Sequence, residues 1–201
     1  MQTKIRFITM NGPLGVGKSW VGDQLEKYLK TNHPNTRLIR ASFQDVLAAG
    51  VQRLLGAEHM DYAEFKLTEF YGLTGRQWLI RTSEEMMKPV DPMIFSKILY
   101  DRMKLETEQR KNVLAHGQIK SLLFYADSNG FEDELMFFRS RDDLDLLACS
   151  IEPADFTDRR GQPWIDGDSR YNLAHLANVV APTSTIMLEN LIKALDRRNW
   201  I

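Results

Sequence analysis

Residues 10 to 20, "MNGPLGVGKSW", constrain this chain more than any other stretch. Gly12, Gly17, Lys18 and Ser19 stand at the positions of G-x-x-x-x-G-K-[ST]. In that loop backbone N–H groups surround phosphate oxygens, the lysine reaches the outer phosphates and the hydroxyl ligates Mg2+. Glycine is needed because a backbone that approaches an anion takes φ > 0 and leaves no room for a Cβ. The loop works between a strand and a helix N-terminus, whose free N–H groups favour negative charge. Both neighbours are present: Lys4 to Met10 is a short β-rich run, and Val21, Leu25, Tyr28 and Leu29 recur at helical spacing. The stretch therefore predicts a bound nucleoside triphosphate, with Gly12, Gly15, Val16, Gly17, Lys18, Ser19 and Trp20 around it and Ser19 on the metal.

A chain of 201 residues, 43% of them hydrophobic, can bury one substantial core, and the expectation is a single domain over 1–201. A formal net charge of -1 argues against a protein that coats nucleic acid or a membrane surface. No apolar stretch suits a leader or a membrane span. The single cysteine, Cys149, lies in the apolar run "LDLLACSI" and reads as a buried strand thiol, which suits a reducing compartment. Localisation is expected to be cytoplasmic. His33, His59, His116 and His175 lack paired metal-ligand spacing.

Along the chain, strand and helix patterns alternate. Thr36 to Phe43 reads as a second strand, and Leu47, Val51, Leu54 and Leu55 as a helix that stops at Gly56. A helical region follows over about 57–112. Asp61 with Glu64 and Thr74 with Gln77 have capping-box spacing, and Asp91 precedes a proline at a first helical position. These three helices should end near Gly72, before Pro89 and around Arg110. Ile119 to Asp127 is a nearly continuous apolar run closing on a carboxylate, as in a central parallel strand. Leu144 to Ile151 and His175 to Val180 read as two more strands. Ser184 is expected to cap a final helix carrying Ile186, Leu188, Leu191, Ile192 and Leu195. Five strands interleaved with helices predict a doubly wound α/β fold, a mostly parallel sheet with helices on both faces and ligands at the carboxyl ends of the strands.

In order and separation, several segments resemble the phage-type deoxynucleoside monophosphate kinases, a branch of the P-loop nucleoside monophosphate kinases. They are "GPLGVGKS", "TGRQWLIRTSEEMMKP" (74–89), "FYADSNGFEDE" (124–134), "DSR" (168–170) and "LAN" (176–178). The family's Asp-Ser-Gly-Phe run is one residue longer here, through Asn129. The resemblance implies a P-loop kinase fold with a helical acceptor-binding excursion and a short lid over 153–172. It also implies transfer of the ATP γ-phosphoryl group, with Mg2+, to a (deoxy)nucleoside monophosphate, in a bacterial host's cytoplasm if the source is viral. Partners would be small nucleotides, with no nucleic acid and no membrane.

Other residues carry roles that follow from their chemistry or from that likeness. Arg159, Arg160 and Arg170 lie in a polar stretch between strands, suited to a lid closing on phosphates, with Arg160 and Arg170 the catalytic candidates. The alternative is a solvated loop whose arginines pair with Asp155, Asp158, Asp166 and Asp168. Arg76 sits in a first helical turn, where the macrodipole disfavours a cation unless an anion joins it. Arg81 is an acceptor-phosphate candidate, with a pairing to Glu85 as the competing role. Phe43 and Trp78 can stack on a base or serve the core. Asp127 can hold Mg2+, contact the acceptor or act as base, and Asn178 is assigned to adenine by analogy. Leu105 to Asn112 reads as a solvated charged face, with a homodimer contact as the alternative. Two other functions fit the loop. One is a kinase of a sugar or polynucleotide hydroxyl with Asp127 as base, and the other is a nucleotide-binding regulator that hydrolyses little.

Overall fold

The computed structural model describes residues 4–13, 15–110, 119–127, 132–153 and 173–201. The lid arginines Arg159, Arg160 and Arg170, and the additional Asn129, lie outside the described residues. The chain forms two compact units, one from Met1–Ala41 with Arg102–Ile201 and the other from Ser42–Asp101.

The first unit holds a five-stranded sheet of β1 (Ile5–Asn11), β2 (Thr36–Arg40), β5 (Ser121–Ala126), β6 (Leu144–Ile151) and β7 (Val179–Ala181). Its spatial order is β2-β5-β1-β6-β7, and every pairing is parallel. All six residues of β5 are buried, as expected of a strand covered on both faces. Alternation along the strands sends Ile8, Met10, Leu123, Tyr125, Leu147 and Cys149 to one face. There they meet Val21, Leu25 and Leu29 of α1 (Lys18–Asn32) and Met187, Leu191 and Leu195 of α7 (Ser184–Arg197). On the other face Phe7 packs edge-on against Phe138 of α6 (Glu132–Arg139), with ring centroids 4.9 Å apart. The sequence expectation of an α/β fold with a parallel sheet flanked by helices therefore holds.

The second unit contains α2 (Phe43–Leu54), α3 (Tyr62–Leu67), a hairpin of β3 (Glu69–Phe70) and β4 (Leu73–Thr74), and α4 (Gly75–Arg81). A π-helical turn follows over Thr82–Met87. Ala48, Val51, Ala57, Phe65 and Leu79 form its core. The helix α5 (Ile94–Gln109) runs across the division between the units.

Several boundaries differ from the sequence reading, each for a local reason. β2 stops at Arg40 rather than Phe43, because the Ser42 hydroxyl accepts the Asp45 N–H at 3.3 Å and starts α2 early. The helix expected to reach Gly72 ends at Leu67. Tyr71 (φ 52) and Gly72 (φ 80) instead turn the chain into the β3–β4 hairpin. Asp91 accepts the Met93 N–H, and α5 begins only at Ile94. The final strand spans 179–181, preceded by a 3-10 turn at Ala174–Leu176. Thr183, not Ser184, caps the last helix, accepting the Ile186 N–H. Ile186 consequently faces solvent, and the buried stripe is Met187, Leu191 and Leu195. Thr74 and Gln77 do form the expected reciprocal capping box. Among the described residues no helix is long and apolar enough to cross a membrane.

Candidate functional site

The chain leaves β1 toward β2 and leaves β6 toward β7, although β1 and β6 are neighbours. Such a switch point opens a crevice at the carboxyl ends of the strands. The glycine loop lies there. A Cβ on Gly12 (φ 135) would sit 2.7 Å from the Ile151 carbonyl at the end of β6, so only glycine fits against that strand. Gly15 (φ 88) and Gly17 (φ 99) are also left-handed, and Gly17 forms the N-cap of α1. Its carbonyl accepts the Val21 N–H at 3.0 Å, which begins the helix. Val16 turns inward onto the core, while Trp20 is 41% exposed.

Lys18 folds back over its own loop, donating to the carbonyls of Gly12 at 2.6 Å and Pro13 at 2.9 Å. Burial lowers its pKa to about 8, against the opposing pull of Asp127. The Ser19 hydroxyl donates to Asp127 Oδ2 at 2.6 Å. Asp127 follows β5 directly, so the strand that neighbours β1 delivers a carboxylate to the first turn of α1. Two residues 108 apart in sequence thus meet at the loop's mouth. A hydroxyl oxygen and a carboxylate oxygen are hard donors of the type Mg2+ takes, alongside water and substrate phosphate. Among the described residues no group of three or more His, Cys, Asp or Glu side chains gathers as a metal cluster.

The other anticipated residues belong to other elements. Asn178 stands directly before β7. Its Oδ1 accepts the Ala148 N–H at 3.0 Å and its own N–H donates to the Ala148 carbonyl, extending the β6–β7 ladder. It lines a cavity of about 380 Å3 with Asn190, Lys193 and Arg197 of α7. Arg76 and Arg81 both belong to α4 in the second unit, and both are exposed. Five positions apart, they leave the helix in different directions, since a turn takes about 3.6 residues. Arg81 lies 4.0 Å from Glu85, a loose contact between exposed side chains. Trp78 donates its indole N–H to the Phe70 carbonyl at 2.8 Å and packs on that unit's core. Phe43 is the first residue of α2.

Three residues that the sequence reading passed over adjoin the loop. The buried Tyr125 hydroxyl donates to the Lys18 carbonyl at 2.6 Å. The Arg40 guanidinium lies 4.9 Å from the centre of the Tyr125 ring and pairs with Asp23. Gly22, inside α1, leaves the space both occupy. Their traces in the sequence are a phenol in a largely apolar strand and a glycine in a helix. Comparison of the chain with protein-family models gave no match, and comparison with curated proteins gave none either.

Proposed function

We propose that this chain transfers the γ-phosphoryl group of Mg-ATP to a (deoxy)nucleoside monophosphate, releasing ADP and the nucleoside diphosphate. The observation that carries the reading is the 2.6 Å contact between Ser19 and Asp127 at the mouth of a loop that Lys18 closes. It supports a site built for phosphate and a divalent cation together, as in the P-loop kinase fold the sequence resembles.

Phosphoryl transfer leaves a protein mostly positioning and charge neutralisation to perform. Backbone N–H groups of residues 15–19 and the helix N-terminus would hold the outer phosphates. Lys18, which now spends its protons on two loop carbonyls, would redirect them to phosphate oxygens. Ser19 and Asp127 would hold Mg2+, which supplies charge neutralisation between the phosphates. A monophosphate acceptor, with a second pKa near 6, arrives largely as the dianion. No general base is then needed, and the protein must instead screen two anions from each other. In this reading Arg160, Arg170 and Arg159 do so from the lid side and Arg76, Arg81 and Phe43 receive the acceptor. A nucleotide enzyme of this kind would work in the cytoplasm.

The test is ADP release from Mg-ATP with each common ribo- and deoxynucleoside monophosphate, beside a no-acceptor control and a sugar panel. Strong stimulation by one or a few monophosphates is the expected result. Stimulation by none, with ATP still bound, would overturn the reading, and turnover on a sugar alone would transfer Asp127 to the role of base.

A further inference from the structure

We propose that Tyr125 is a positioning residue for the divalent cation, its hydroxyl anchoring the first turn of α1 so that Ser19 meets Asp127. This rests on the reading of Ser19 and Asp127 as the cation-holding pair, and adds to it the group that sets their separation.

Tyr125 stands two residues before Asp127 on β5 and is 1% exposed. Its hydroxyl reaches the carbonyl of Lys18, one residue before Ser19, at 2.6 Å. One side chain therefore ties the strand that ends at Asp127 to the helical turn that bears Ser19. The ring is held in turn. Arg40 is the cross-strand partner of Tyr125, and its guanidinium stacks on the ring while Asp23 fixes its far end. Gly22 makes this geometry possible. A Cβ there would lie 1.9 Å from an Arg40 nitrogen and 2.6 Å from the Tyr125 ring. Glycine inside a helix is less favourable than alanine, because it has more backbone freedom to lose. The sequence accepts that cost at a position of α1 where ring and guanidinium approach the backbone.

Support behind a metal ligand acts on metal affinity more than on the remainder of the ligand. In the test, Mn2+ replaces Mg2+ and is titrated into the full chain saturated with ADP, with bound metal read by electron paramagnetic resonance. ADP affinity is measured separately in EDTA. Tyr125→Phe is expected to weaken Mn2+ binding about tenfold and to leave ADP affinity in EDTA within about twofold of the original. Unchanged Mn2+ affinity, or an equal loss of ADP affinity in EDTA, overturns the positioning role. Should Tyr125→Phe fold poorly, Arg40→Gln decides the matter. It alters a partly exposed side chain, keeps the hydroxyl, and is expected to weaken Mn2+ about threefold through a loosened ring; no change there also overturns the role. Failure of the functional reading looks different: the unmodified protein would bind no ADP, or Ser19→Ala would keep full Mn2+ affinity.

Discussion

Under the proposed function, the lowered pKa of Lys18 makes nucleotide binding pH-dependent. Its pKa of about 8 in the free protein lies below the ordinary lysine value. Bound phosphate favours the charged form, so binding raises the pKa again. Affinity is then full below about pH 8 and falls by up to about tenfold per pH unit above it, where a proton must be taken up on binding. Calorimetric titration of ADP between pH 7 and 9.5 checks this, and Lys18→Met should show weak, pH-independent affinity. The same shift acts on stability with the opposite slope. The unfolded chain binds more protons between about 8 and 10.5, so the destabilisation present below 8 is relieved as pH rises through that window. Cys149 offers a contrast: complete burial pushes its thiol up to about 12, and it should resist a disulfide reagent until the protein unfolds. Lys18 and Ser19 were legible because their neighbours in sequence are their neighbours in space. Tyr125 was not, since its role depends on which strand lies beside α1, and spacing along one chain carries no such information.

Among the elements, α1 and α4 show what local pattern reveals and what it hides. The capping box of α4 needs only four consecutive residues, so Thr74 and Gln77 were readable from the chain. Thr74→Ala should lower stability by about 1 kcal/mol in denaturant unfolding, with the hairpin next to it loosened. The β3–β4 hairpin escaped notice because its strands are two residues each and its turn places a tyrosine in the left-handed region, where glycine or asparagine is the usual sign. For α1 the instructive change is Gly22→Ala. Helix propensity alone predicts stabilisation, whereas the clash with Arg40 and Tyr125 predicts a loss of about 1–3 kcal/mol. Chemical denaturation reads the sign directly.

At the scale of the whole molecule, the alternation of strand and helix patterns revealed a parallel sheet but not its order. Apolar runs mark β1, β5 and β6 as buried strands. That β1 lies between the other two follows from pairings that no local pattern encodes. This centre should be the most stable part of the protein. Native-state hydrogen exchange is expected to show the strongest protection in β1, β5 and β6, with β7 and the β3–β4 hairpin opening first. Retention of that protection pattern in Lys18→Ala, with transfer abolished, would separate the loop's chemistry from the fold.

The position of β1 also bears on how the protein is made. Phe7 pairs with Phe124 on one side and Leu146 on the other, partners synthesised more than a hundred residues later. At ~5–20 residues per second, the apolar first strand waits on the order of ten seconds outside the ribosome before either neighbour exists. The glycine loop, whose Gly12 rests against the end of β6, cannot take its final form during that interval. Nascent chains of this protein are therefore expected to leave β1 unpaired until β5 and β6 are made, which limited proteolysis of stalled nascent chains would check.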